Sequence, residues 1–282
     1  MKLNLFIFPL LLIFFSCNKQ TENSLVKINI KGQVKLLILK KFEAEEKFGE
    51  LKRLKLLEQI DLQFNKSGNI TNTLIRNNKS EIQNKTIHKY DKKDKILTKL
   101  NYNQKGVLVE KIKYLYNQKG ELIQSLSVSQ KGRLQSKTEY IYDDYGNKIE
   151  ENYYDSLFKL KDKFIYKFYN NKLITSSFYD YDGKLISKNK YKYDKFDNVI
   201  EEIEFNAQGL KSSKTSFVYD ENKNITKQVN AWIGYGRYIE AFTYLNQDKE
   251  KNWTKIIGKS TSISNSQFES SKYIIDRIIS YY

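Results

Sequence analysis

The chain has 282 residues, with 49 Lys and Arg against 33 Asp and Glu, one histidine, one cysteine and one proline. It contains no Cys/His cluster, Ser–His pair or glycine-rich phosphate loop, which excludes zinc, triad and nucleotide chemistry. The net charge of +16 points to an anionic partner, although abundant Lys, Asn, Ile, Tyr and Phe are also what an AT-rich genome encodes.

The chain opens MKLNLFIFPLLLIFFSC. Lys2 precedes an apolar run, Leu3 to Phe15, that is short for a membrane span of about 20 residues. A charged start, a short apolar core and the small residue Ser16 describe a secretory signal. With Cys17, the only cysteine, next in line, the segment resembles a bacterial lipoprotein signal. That resemblance implies cleavage after residue 16 and lipidation of Cys17 with diacylglycerol and a fatty acid such as palmitate. Acyl chains contribute about 0.8 kcal/mol per buried CH₂, enough for two or three to hold a protein on a bilayer. Residues 17–31 then form the lipidated cysteine and a polar tether. Asn18 in place of a retention aspartate favours the outer membrane, on its periplasmic face or at the cell surface. Arg stands only at 53, 76, 133, 237 and 277, and an exported chain without Arg clusters is no nucleic-acid binder.

From residue 32 to 282 the chain reads as one domain, because no Pro-rich or Ser/Gly-rich linker divides it. Gly32 to Phe64 is irregular: Ile60, Leu62 and Phe64 alternate as in a strand, while Leu51, Leu54 and Leu57 keep a helical spacing. A first hairpin is the expectation for 42–58. Beyond it, aromatic pairs recur: His88/Tyr90, Tyr114/Tyr116, Tyr140/Tyr142, Tyr166/Phe168, Tyr191/Tyr193, Phe217/Tyr219 and Phe242/Tyr244. Second members are 25 or 26 residues apart, the mark of a repeat whose units bury their apolar faces on their neighbours.

Turn signals fall about every 13 residues, among them NKSG (65–68), NQKG (103–106), SQKG (129–132), DDYG (143–146) and NAQG (206–209). A leading Asp, Asn or Ser with Gly fourth is the type I turn with a bulge that closes a hairpin. Asp94, Asp197 and Lys223 replace that glycine, and a distorted turn is expected at Lys223. Between turns, Leu185, Ser187, Asn189, Tyr191 and Tyr193 alternate with Ile186, Lys188, Lys190 and Lys192, as in antiparallel strands with one solvated face. In the next strand Val199, Glu201, Ile203 and Phe205 read as the apolar set. Small residues mid-strand, such as Ser136, Thr138 and Ser213, suit a curved inner surface. The predicted fold is an all-β antiparallel meander of some seventeen strands, forming one long twisted or spiralling sheet. Ile274 to Tyr282 reads as its closing strand.

No residue is predicted to be catalytic, to bind a cofactor or to hold a metal. His88, the sole histidine, occupies a tyrosine position in the repeat and reads as structural. Glu150/Glu151 and Glu201/Glu202 are adjacent on strands, so each pair points to opposite faces and cannot flank one bond. Trp253 reads as core, and Trp232 in WIGYGRY (232–238) marks a departure from the turn grammar.

The units YIYDDYGNKIEENYY (140–154) and KYDKFDNVIEEIEF (192–205) resemble the Rhs-type, or YD, repeat, most closely that of Bacteroidetes repeat lipoproteins. The resemblance covers 32–282 and brings no catalytic residue with it. The expected function is that of a non-catalytic envelope lipoprotein with a binding or scaffold role, because repeat proteins bind through extended surfaces and the catalytic inventory of this chain is thin. The alternatives are an enzyme acting on envelope polysaccharide through carboxylates not yet identified, or a shell-like remnant of an Rhs toxin system. Expected partners are the membrane through the lipid anchor and an anionic envelope glycan or a protein.

Overall fold

The computed structural model describes residues 23–264 and 267–282. The signal 1–16, Cys17 and the start of the tether lie outside the described residues. A short turn of helix, α1 (Ser24–Lys27), is capped by Asn23, whose side chain accepts from the Val26 amide. The long first hairpin is β1 (Val34–Lys47) and β2 (Glu50–Phe64), so residues 42–58 are strand and turn. Regular hairpins follow as β3 (Ile70–Arg76), β4 (Ile82–Tyr90), β5 (Ile96–Asn103), β6 (Leu108–Tyr116), β7 (Leu122–Val128) and β8 (Leu134–Tyr142). The series continues through β9 (Lys148–Asp155), β10 (Leu160–Tyr169), β11 (Lys172–Asp180), β12 (Leu185–Tyr193), β13 (Val199–Asn206) and β14 (Lys211–Tyr219). It ends with β15 (Ile225–Trp232), β16 (Gly236–Gln247), β17 (Trp253–Ser264) and β18 (Gln267–Tyr281).

Every strand pairs antiparallel with its sequence neighbours, and β18 also pairs with β1, placing Leu37 opposite Ile279 and Lys41 opposite Ile275. The all-β hairpin meander is therefore correct, but the open twisted or spiralling sheet is not: the sheet closes into an eighteen-stranded barrel. Two physical features drive closure. The first and last strands would each offer a long row of unpaired N–H and C=O groups, and pairing them removes both edges. Register shifts beside the turns, as between Ile141 and Tyr142, add coiling at successive hairpins. Followed once around the barrel, the register returns to β1 displaced by about 20 residues. For eighteen strands that shear tilts them by about 40° and corresponds to a backbone radius of about 17 Å in a circular barrel.

The turns follow the predicted chemistry. At DDYG the Gly146 amide donates to the Asp143 carbonyl at 3.0 Å, and the Asp143 amide to the Asn147 carbonyl at 2.9 Å. Lys223 makes the equivalent turn, with φ 63° and bonds of 3.1 and 2.9 Å, so the expected distortion is absent. Its left-handed backbone is held because the Asp220 carboxylate accepts from the Asn222 and Asn224 amides at 2.9 and 2.8 Å.

The repeat's second tyrosine has a job that phenylalanine cannot do. Tyr90, Tyr116, Tyr142, Tyr193 and Tyr219 each donate their hydroxyl to the carbonyl 20 residues upstream, at 2.7–2.9 Å. Tyr244 does the same to Ile225 at 2.7 Å. Each hairpin is thereby tied to the one before it.

The barrel has two distinct ends. Residues 23–33 lie across one of them: Leu25 donates to the Gly68 carbonyl at 3.1 Å, Asn29 to Asn222 at 3.0 Å, and Lys31 to the Asn252 side chain at 2.8 Å. Leu25 and Ile30 join a buried core with Leu37, Ile60, Ile256 and Ile275, which fills the sector between β16 and β2. Elsewhere most inward-facing side chains stay half-buried.

Candidate functional site

Ladder register assigns the two faces of the wall. Inside β12 lie Asn189 and Tyr191, which stand opposite Glu204 and Glu202 of β13; these in turn face Ser213 and Thr215 of β14. Glu201, Ile203 and Phe205 therefore point outward, contrary to the sequence reading. The register shift between Lys192 and Tyr193 explains the difference: one extra residue flips every side chain that follows to the other face.

The inner face is a hydrogen-bonded polar band. Asn189 donates to Glu202 at 2.8 Å and Ser213 to Glu204 at 3.1 Å. Thr215 donates to Asn230 at 3.0 Å. Further round, Tyr273 and Tyr238 both donate to Glu240, at 3.1 and 3.3 Å. Across the lumen wall Glu110 accepts from Asn101 and Ser127, both at 2.7 Å. Glu151 accepts from Tyr153 at 2.5 Å and pairs with Lys148. Burial pushes the Glu202 and Glu240 carboxyls up, and burial pushes the Lys41 ammonium, which lies 4.0 Å over the Tyr273 ring, down. Small residues serve as predicted for an inner surface, and Ser125 and Ser176 also meet the Tyr140 and Tyr191 hydroxyls at 3.1 Å.

Each singled-out residue has a definite place. His88 lies inside opposite Lys99, its Nδ1 without a hydrogen-bond partner, and burial takes its pKa down to about 4. It is a neutral filler of a tyrosine position. Glu150 and Glu201 face outward to lysines, Lys163 for the first and Lys192 and Lys214 for the second. Their neighbours Glu151 and Glu202 face in, so neither adjacent pair converges. Trp253 is buried under the Arg277 guanidinium, whereas Trp232 and Ile233 are exposed at a tight turn. Among the described residues no group of three His, Cys, Asp or Glu is placed to hold a metal ion. Sequence reading missed the inward Glu110, Glu204 and Glu240; for Glu110 the signal was its shared parity with Tyr114 and Tyr116.

Outside, lysines stand at mid-height on strand after strand: Lys113 on β6, Lys137 on β8, Lys190 on β12 and Lys214 on β14. A bilayer-facing barrel wall is apolar at this level, and each lysine placed at the midplane costs about 2–4 kcal/mol. This wall is built to stand in water.

No protein-family model matches the chain, and no curated protein matches it. Among solved structures it is similar to a porin-like protein from Bacteroides uniformis, at 11% identity and TM-score 0.49, over 88% of this chain and 98% of that one. A porin-like protein from Bacteroides vulgatus aligns at 15% identity and TM-score 0.32, over 89% of this chain and 99% of that one. A structure of TcdB2-TccC3-Cdc42 aligns at 15% identity and TM-score 0.36, over 84% of this chain and 15% of that one. At TM-scores below 0.5 these likenesses say nothing of what this chain binds or does.

Proposed function

We propose that the protein is a non-catalytic lipoprotein of the cell envelope, anchored through acylated Cys17, whose barrel binds an anionic envelope polymer. The observation that carries this reading is the outward array of mid-height lysines on a closed wall, in which Lys137 and Lys214 pair with Glu139 and Glu201 while Lys113 and Lys190 present their charge to solvent. Closure also changes the surface on offer. The aromatic face, expected to be an extended binding surface, is turned into the lumen, and the exterior left to a large partner is cationic. Inward carboxylates support the non-catalytic reading, because each is already engaged by the wall: Glu110 accepts from Asn101 of β5 and Ser127 of β7, Glu240 from Tyr273 of β18, and Glu151 from Tyr153 of its own strand.

Anchoring and binding are tested separately. Metabolic labelling with a fatty-acid analogue is expected to mark the wild type and not Cys17→Ser; equal labelling would refute the anchor. A glycan array at low and high salt is expected to show acidic glycans bound and then weakened, since exposed charges are screened beyond about 8 Å at physiological ionic strength. Turnover of an envelope polymer without stable binding would overturn the reading in favour of an enzyme.

A further inference from the structure

The turns opposite residues 23–33 form the far rim of the barrel, and between two of them lies a cleft. It is bounded by the β5–β6 turn (103–107) and the β7–β8 turn (129–133), and its volume is ≈ 590 Å³. Val107 and Val109, 42% and 48% exposed, give it an apolar floor. Lys131 and Arg133 supply cations, and Gln130 and Gln135 supply amides. No acidic residue lines it, and among the described residues neither cation has a carboxylate partner.

We propose that this cleft is the docking site for an anionic sugar residue, an inference that rests on the function proposed above and locates it. The chemistry is complementary on three counts. A guanidinium takes a carboxylate or phosphate through two parallel N–H bonds, and an ammonium adds a point charge beside it. Side-chain amides both donate and accept, as sugar hydroxyls require. The apolar face of a pyranose ring, made of C–H groups, covers the exposed valines. A bare anion would use the cations and leave both the amides and the apolar floor idle. Position agrees as well: the backbone and side-chain contacts of residues 23–33 fall on turns at the opposite end. A chain tethered through its N-terminus therefore presents this rim outward.

The test uses the full chain and three probes: oligogalacturonate, a phosphorylated mannan oligosaccharide and the same mannan without phosphate. Two double variants remove equal charge, Lys131→Ala with Arg133→Ala in the cleft, and Lys92→Ala with Lys119→Ala on exposed turns of the opposite rim. Circular dichroism first verifies the β signature of both. Calorimetry is expected to show at least one charged probe bound by the wild type, at least tenfold weaker binding by the cleft variant, and less than a twofold change in the opposite-rim variant. The two charged probes separate carboxylate from phosphate recognition. Equal losses in the two variants, wild-type affinity in the cleft variant, or equal binding of the uncharged mannan would overturn the cleft assignment alone. A wild type that binds none of the probes would overturn both the assignment and the polymer-binding function beneath it.

Discussion

Replacing Tyr219 by phenylalanine removes one oxygen and leaves the ring in place, which makes it a clean probe of the ties between hairpins. The lost bond is the 2.7 Å donation to the Val199 carbonyl. A net intramolecular hydrogen bond contributes about 0.5–1.5 kcal/mol, so the single variant is expected to lose about 1 kcal/mol. The same tie occurs at Tyr90, Tyr116, Tyr142, Tyr193 and Tyr244. These sites are far enough apart to be roughly additive, and removing all six ties would cost about 6 kcal/mol. That is comparable to the whole stability of many domains, about 5–15 kcal/mol. The reverse experiment is available at Phe168, where Phe168→Tyr would direct a hydroxyl at the Lys148 carbonyl, 20 residues upstream like the others. A gain of about 0.5–1 kcal/mol is expected there. Equilibrium urea unfolding reads each change as a shift in midpoint at constant slope. Tyr169→Phe, on a side chain 69% exposed, is the control. If Tyr219→Phe and Tyr169→Phe shift the midpoint equally, the ties do not hold the barrel and the account of the repeat's tyrosine fails.

Two further outcomes follow from the lumen. Gly258 faces the Tyr273 ring so closely that an added methyl would overlap it; Gly258→Ala is expected to cost about 1–3 kcal/mol by overpacking, and unchanged thermal unfolding would refute the contact. Burial raises several inward tyrosine hydroxyls, Tyr90, Tyr114 and Tyr238 to about 12. A folded pKa above the unfolded value of about 10 means that the folded state holds the proton longer. The stability these groups contribute is therefore complete below pH 10 and lost as pH rises from 10 toward 12. Urea midpoints flat across that window would contradict the burial of these side chains.

The 25- and 26-residue spacing of aromatic pairs and the Asx-led turns were enough to specify hairpins, because a type I turn with a left-handed fourth residue closes locally and needs no distant partner. The structural reading of His88 and Trp253 came from the same grammar, since each occupies a repeat position whose role its neighbours define. Two matters were decided only in three dimensions. The faces of Glu201 to Phe205 depended on a register shift near the turn, and a single extra residue there exchanges inside for outside without altering the composition of the strand. Closure depended on β1 and β18, which meet only after the whole sheet has coiled. Hydrogen bonds between strands at opposite ends of the chain leave no period to read. They form because two free edges in water are worse than one shared ladder, and that comparison belongs to the assembled sheet.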